Sequence, residues 1–102
     1  MKKFLVIGNP IEHSLSPKLH NYWIKKNNLN AIYGKLETYE NDLPELCKSV
    51  KRGELDGLNV TVPFKNSIIP FLDKLTTEAE KTQSVNTIYL KDEMVIGHNT
   101  DI

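Results

Sequence analysis

The apolar positions of this chain form short runs and helical repeats that alternate along the sequence. Residues 4–7 form an unbroken apolar run that ends at Gly8, a pattern that predicts a strand buried on both faces. The segment 31–36 predicts a second strand, and the run that begins at Leu58 predicts a third. Between them, apolar residues recur at helical spacing. This β-α-β-α-β order favours parallel strands with helices on both faces of the sheet.

Polar residues mark where the two helices begin. Ser16 is predicted to cap the first helix, with Pro17 at its first position, and Asn41-Asp42 are predicted to cap the second. The first helix carries an apolar cluster that we interpret as core rather than as a cofactor site: Leu19, Tyr22, Trp23 and Ile24. The second helix presents one apolar face: Leu43, Leu46, Cys47 and Val50.

The second half of the chain predicts shorter elements. The segment 67–75 is interpreted as a short helix interrupted at Pro70, and Thr76 or Thr77 as the cap of another short helix. Residues 84–90 and 94–98 predict two strands joined by a polar turn, which form an antiparallel hairpin. The expected fold class is α/β: a three-layer αβα domain with a mainly parallel, mixed sheet of about five to six strands. With 102 residues, the chain is expected to form one domain over positions 1–102.

Composition narrows the classes of protein that fit. Lys+Arg and Asp+Glu are balanced at 13 each without a basic block, so the charge pattern of a nucleic-acid binder is not found. No apolar run approaches the ~20 residues of a membrane span. Cys47 is the single cysteine, which excludes an internal disulfide and suits a reducing compartment. We therefore predict a soluble, cytoplasmic protein.

The stretch Asn59 to Lys65 is the first candidate for chemistry. Period-2 alternation places Asn59 and Thr61 on the same face of the third strand. Pro63 cannot donate to a sheet ladder, so the strand should stop before it and Lys65 should lie just past its carboxyl end. Ligand-binding groups collect at that end in α/β proteins. The alternative interpretation is a buried strand followed by a solvated lysine.

Two serines form a second candidate. Ser14 and Ser16 lie two residues apart at the start of a helix, where free N–H groups and the helix dipole favour an anion. Their hydroxyls are candidate ligands for a carboxylate. In the alternative interpretation, Ser16 only caps the helix and Ser14 only stabilises the turn. We interpret His13 as a solvated loop residue rather than a catalytic base.

Asn86 and Asp101 are polar residues in or near the last two predicted strands. Together with Lys65, Asp101 would give the ammonium and carboxylate groups needed to move a proton at an alcohol or ketone oxygen. The three histidines have neither the spacing nor a cysteine partner that would indicate a metal site. None of the five glycines has the Gly-x-Gly-x-x-Gly spacing of a dinucleotide site.

Taken together, four motifs resemble the shikimate dehydrogenase family, in order and in spacing over essentially the whole chain. They are Gly8-Asn9-Pro10-Ile11-x-His13-Ser14-x-Ser16-Pro17, Asn59-Val60-Thr61-Val62-Pro63-Phe64-Lys65, Val85-Asn86-Thr87 and Gly97-x-Asn99-Thr100-Asp101. The resemblance is to the amino-terminal, substrate-binding domain of a two-domain enzyme. Ile102 stands where that family usually has glycine.

The resemblance implies a role for each matched residue. Ser14 and Ser16 would bind the shikimate carboxylate. Lys65 and Asp101 would form the catalytic pair at the hydroxyl that becomes the ketone. The ring hydroxyls would be bound by Asn59, Thr61, Asn86 and Asp101.

The resemblance also implies NADPH-dependent, reversible reduction of 3-dehydroshikimate to shikimate. NADP would be bound by a carboxyl-terminal Rossmann domain that these 102 residues do not include, so we expect the chain to be the front portion of a longer protein. Alone, it is expected to bind shikimate weakly without turnover. The alternatives are a quinate/shikimate dehydrogenase of broader substrate range and a non-catalytic ligand-binding module. No nucleic-acid or membrane partner is expected, and a homodimer is possible.

Overall fold

A computed structural model describes residues 1–12 and 14–101; His13 and Ile102 lie outside the described residues. The elements in chain order are β1 (Lys2–Gly8), α1 (Ser16–Lys26), β2 (Ala31–Glu37), α2 (Leu43–Lys51), β3 (Gly57–Val60), β4 (Lys74–Leu75), α3 (Thr77–Thr82), β5 (Thr87–Lys91) and β6 (Met94–His98). Short 3-10 helices lie before α2 at Glu40–Asp42 and before β4 at Ile69–Phe71.

All these strands belong to one sheet with the order β2-β1-β3-β5-β6-β4. Strand β1 runs parallel to both β2 and β3, and β4 runs parallel to β6. Strand β5 is antiparallel to β3 and to β6. The predicted α/β fold with a mixed sheet and a terminal antiparallel hairpin is confirmed.

The sheet separates two apolar clusters. On one side, α2 buries Leu43, Cys47 and Val50 in the larger cluster, together with Ile7 and Ile88 from the sheet. Helix α3 adds Ala79 to this cluster. On the other side, α1 covers a smaller cluster formed by Val6, Ile11 and Tyr33, with Phe4 and Ile24 packed against it. The helices therefore form two outer layers around the sheet.

The prediction that the apolar cluster of α1 is core is wrong for three of its four residues. Leu19, Tyr22 and Trp23 are 57%, 58% and 49% exposed, and Ile24 alone packs against the smaller cluster. Part of the contact with the sheet is polar, because Asn21 bonds to both backbone groups of Tyr33. The apolar repeat identified the helix correctly but did not identify which of its sides faces the sheet.

The predicted cap of α1 also differs by one residue. Leu15 is at the cap position, and its carbonyl accepts the first helical bond from the Leu19 N–H at 3.1 Å. Ser16 is therefore the first helical residue, and the cap residue Leu15 makes no side-chain hydrogen bond to the helix. At α3 the prediction is confirmed, since the Thr76 hydroxyl accepts the N–H of Ala79.

The segment 67–75 is less helical than predicted. Its helical part is the 3-10 turn Ile69–Phe71, and Lys74–Leu75 form the outermost strand beside β6. The next strand begins at Thr87 rather than at residue 84, so Asn86 lies just before it. The later start of β5 places Asn86 at the end of a loop and not within a strand.

Candidate functional site

A cavity of about 410 Å³ opens where β1 and β3 end. These two strands are parallel, so their carboxyl ends meet at one edge of the sheet, the usual place for a ligand in an α/β protein. All the predicted site residues except Ser14 line it. The lining comprises Val6, Ser16, His20, Asn59, Val60, Thr61, Lys65, Asn86, Thr87, Thr100 and Asp101.

Asn59 and Thr61 reach the cavity from the end of β3. The strand ends at Val60, but the Thr61 N–H still donates to the Ile7 carbonyl at 2.9 Å, which keeps the two residues on one face. Gly8 makes this approach possible, because a Cβ atom there would meet the Thr61 methyl group well inside van der Waals contact. The period-2 prediction for this pair of residues is therefore confirmed.

Lys65 and Asp101 form an ion pair at the mouth of the cavity. The Lys65 Nζ lies 3.1 Å from Asp101 Oδ2, and the two side chains are 33% and 61% exposed. The buried Phe64 side chain and the bond from the Val85 N–H to the Lys65 carbonyl, at 2.7 Å, hold the lysine backbone. Exposed ion pairs add little stability. This pair places an ammonium group and a carboxylate together in the wall of the cavity.

The Asn86 side chain is almost fully used by the protein. Its Oδ1 accepts the Thr87 hydroxyl at 2.9 Å and the Thr100 N–H at 3.1 Å, and its Nδ2 donates to the Thr100 hydroxyl at 2.9 Å. An amide oxygen accepts two bonds and an amide nitrogen donates two. One N–H therefore remains for a ligand, so Asn86 can act there as a donor.

Ser16 lines the cavity, whereas Ser14 does not. The Ser14 hydroxyl accepts the Ser16 N–H at 3.3 Å, and the Ser14 N–H donates to the Ile11 carbonyl at 3.0 Å. These contacts correspond to the turn-stabilising interpretation of Ser14. Its role as a carboxylate ligand stays a prediction, and the interpretation of His13 lies outside the described residues.

Sequence reasoning missed His20, Thr87 and Thr100 as lining residues. His20 follows Ser16 by four positions in α1, so the two share one side of the helix, and that spacing could have identified it. Thr87 lies directly opposite Asn59 in the β3–β5 ladder, which the sequence does not reveal because the pairing is non-local. Thr100 was visible as a neighbour of Asp101.

Other features of the described residues are less suited to this chemistry. A cavity of about 270 Å³ between α2 and β6 is mostly apolar and contains the ion pair of Lys51 with Asp73. Over 1–12 and 14–101, no group of three or more His, Cys, Asp or Glu residues could hold a metal ion. Within the same ranges, no helix is both long enough and apolar enough to cross a membrane.

Comparison with known proteins agrees with this geometry. The family profile of the shikimate dehydrogenase substrate binding domain matches residues 6–88. Shikimate dehydrogenase (NADP(+)) of Pelagibacter ubique is 59% identical over 101 residues, which cover 99% of this chain and 38% of that protein. The chain thus spans well under half the length of this curated relative.

Solved structures show the same fold. The shikimate 5-dehydrogenase of Thermus thermophilus in complex with NADP(H) and shikimate superposes with a TM-score of 0.90 at 35% identity, over 99% of this chain and 38% of that one. The enzyme of Listeria monocytogenes in complex with shikimate and NAD gives 0.92 at 36% identity, over 99% and 35%. The chain therefore belongs to the shikimate dehydrogenase substrate-binding domain family.

Proposed function

We propose that this chain is the substrate-binding and acid–base part of a shikimate dehydrogenase, which reversibly reduces 3-dehydroshikimate to shikimate with NADPH. The observation that carries the proposal is the ion pair of Lys65 with Asp101, at 3.1 Å, in the wall of a cavity rich in hydroxyl and amide groups. The cavity volume of about 410 Å³ suits a small ligand. We assign residues 1–102 to one domain with this role.

The carboxylate and the ring hydroxyls of shikimate suit the hydrogen-bonding groups of the proposed site. Its carboxylate would lie at the start of α1 with Ser14 and Ser16, where N–H groups and hydroxyls donate. Its ring hydroxyls both donate and accept, as do the side chains of Asn59 and Thr61. Asn86 would add its one remaining N–H, and Asp101 would accept.

Lys65 and Asp101 would move the proton. During reduction the ketone oxygen gains a proton, and the Lys65 ammonium group is placed to donate it while the Asp101 carboxylate holds the lysine in position. In the reverse direction the neutral lysine amine would take the proton from the same hydroxyl. Serving as acid in one direction and base in the other is what a reversible reaction requires of one group.

The residues described here do not fit a dinucleotide. Four of the five glycines lie in β1, β2, β3 and β6 and the fifth in the turn after α2, so none lies at the start of a helix. We expect NADP to be held by residues beyond these 102. When bound, it would supply the hydride. Without it, this chain is expected to bind shikimate weakly and to catalyse no turnover.

A chimera tests the proposal. Residues 1–101 replace the matching part of the Pelagibacter ubique enzyme, and NADPH oxidation with 3-dehydroshikimate is followed by absorbance. We expect activity that falls about a hundredfold or more in Lys65→Ala, because a general acid contributes about 10²–10⁴-fold. Lys81→Ala, an exposed lysine on α3, is the control and should leave the rate unchanged. Equal rates with and without the Lys65 side chain would contradict the proposed role.

The same chimera separates the alternatives. Quinate oxidised at a rate comparable to shikimate would favour the broader quinate/shikimate enzyme. A folded chimera that binds both NADPH and shikimate yet shows no turnover would favour the non-catalytic module. A cytoplasmic location and a homodimer remain predictions of the same account.

A further inference from the structure

Tyr33 lies on β2, two strands away from Asn59, yet its side chain reaches the site. The residue is 5% exposed. Its N–H donates to Asn21 Oδ1 at 2.9 Å and its carbonyl accepts from Asn21 Nδ2 at 2.6 Å, so one side chain of α1 holds both polar groups of its backbone. The ring of His20 stacks on the tyrosine ring at 4.4 Å between centroids and an angle of 15°. Backbone and ring are therefore both fixed.

The Tyr33 hydroxyl donates to Asn59 Oδ1 at 2.6 Å. The other end of the same amide donates to the Asn86 carbonyl at 3.2 Å. A carbonyl can only accept, so Nδ2 must face Asn86 and Oδ1 must face the tyrosine. The contact from Nδ2 to the Thr87 hydroxyl, at 3.4 Å, is long enough for a ligand to replace. Asn59 thus keeps one exchangeable N–H and one lone pair for the cavity.

We propose that Tyr33 is a positioning residue, whose hydroxyl holds the Asn59 amide in the orientation that presents one donor and one acceptor to a ring hydroxyl of the substrate. This inference rests on the proposed function, because it assumes a polyhydroxylated ligand in the cavity. Neither the family resemblance nor the lining of the cavity identifies Tyr33. It acts through Asn59 and does not itself line the cavity.

The tyrosine is suited to this role over a wide pH range. Burial raises the pKa of Tyr33 to about 12, so its hydroxyl keeps its proton and remains a donor wherever the protein is folded near neutral pH. Phenylalanine at this position would keep the stacking with His20 and the backbone bonds to Asn21. Tyr33→Phe therefore removes the bond to Asn59 with little other change.

The first test follows the Asn59 side-chain amide by NMR in the ligand-free chain. In Tyr33→Phe, we expect its Nδ2 signals to shift and its hydrogen exchange to accelerate roughly three- to tenfold, the effect of one lost hydrogen bond. Tyr22→Phe, which removes an exposed hydroxyl from α1, should change neither. Unchanged Asn59 signals in Tyr33→Phe would overturn the inference. If that variant does not fold, the wild-type protein decides the question. Hydrogen exchange of the Asn59 side-chain amide as fast as in an exposed asparagine would also overturn the inference.

The second test is a shikimate titration of the same proteins. We expect the dissociation constant to rise roughly three- to tenfold in Tyr33→Phe and not in Tyr22→Phe. Equal affinity of wild type and Tyr33→Phe would contradict the positioning role. If wild type does not bind shikimate, the proposed function fails, while the ligand-free test of the Asn59 amide still decides whether Tyr33 orients it.

Discussion

Asn86 shows how far one side chain can be interpreted from its bonds. Its Oδ1 is filled by two donors, and one of its two N–H groups is used by Thr100. The group left for a ligand is a single N–H. In Asn86→Asp an oxygen replaces Nδ2, so this N–H is lost. The Thr100 hydroxyl can rotate and donate to the new oxygen.

We therefore expect Asn86→Asp to fold but to bind shikimate about tenfold more weakly, since a needed donor is replaced by an acceptor. Isothermal titration calorimetry measures the affinity, and circular dichroism checks the fold. Asn30→Asp adds the same charge at an exposed position and should bind as wild type does. If Asn86→Asp binds as tightly as wild type, Asn86 does not donate to the ligand.

The sequence predicts residue positions well where local periodicity decides them. Asn59 and Thr61 share a face because strand side chains alternate. Lys65 lies past the carboxyl end of β3 as predicted, although the strand ends at Val60 and not at the residue before Pro63. Tyr33 could not be identified in this way. Its contact with Asn59 crosses β1 and spans 26 positions, so only the strand order reveals it.

At the scale of elements, Gly97 determines how closely β6 approaches its neighbours. A Cβ atom there would lie 2.5 Å from Leu72 Cδ1 and 2.9 Å from Val85 Cγ2. Gly97→Ala should destabilise the fold by about 1–3 kcal/mol, the usual cost of overpacking a core. Urea unfolding measures the change. Gly34→Ala meets one flexible leucine at 3.1 Å and should cost clearly less. Equal losses in the two variants would contradict this account of β6.

Asp73 links α2 to β6. Its carboxylate accepts from Lys51 Nζ at 2.8 Å and from the Val95 N–H at 2.8 Å. The bond from Lys51 and then that from Val95 hold the pKa of Asp73 below its usual value. A carboxyl group with a lowered pKa stabilises the fold above the pKa of the unfolded chain, and this contribution disappears as pH falls through the folded value.

Asp73→Asn should therefore destabilise the protein at pH 7, by no more than about 1 kcal/mol because the carboxylate is 40% exposed. The difference between wild type and variant should shrink as pH falls below about 4. Urea unfolding at several pH values measures it, with Glu37→Gln as an exposed control. A difference that grows on acidification would refute the assignment.

The sequence did not predict the features of helices and strands that depend on tertiary packing. Strand β4 has two residues, too few for a periodic pattern, and it exists because it pairs with β6. The apolar residues of α1 repeat at helical spacing, but the helix covers the β1–β2 part of the sheet mainly through Ile24 and Asn21. Periodicity therefore predicted the helix but not its buried side.

At the scale of the whole molecule, β2 is an edge strand. Within the described residues β2 pairs with β1 alone, and Ile32 and Leu36 are 50% and 43% exposed on one face. The outward N–H and carbonyl of Tyr33 are already bonded to the Asn21 side chain of α1. An antiparallel pairing of two β2 strands centred on Gly34 would need these same two groups, so Asn21 protects the middle of this edge from a second copy.

We therefore expect no pairing of two β2 strands in the wild-type chain. Sedimentation velocity over a range of concentrations should show the same association state for wild type and for Ile32→Lys, since a charge at this edge then has no strand pairing to prevent. Leu90→Lys, a similar change on β5, should behave as wild type does. A wild-type dimer that Ile32→Lys dissociates would contradict this description of the edge.

We expect the cavity at the ends of β1 and β3 to bind shikimate through the residues of this chain. The decisive experiment is a shikimate titration followed by two-dimensional amide NMR, with Ser16→Ala and Lys65→Ala beside wild type. Saturable shifts are expected at Ser14–Ser16, Asn59–Lys65, Asn86 and Asp101, weaker in both variants. No shifts from a folded chain at millimolar shikimate, or shifts that both variants leave unchanged, would contradict this expectation.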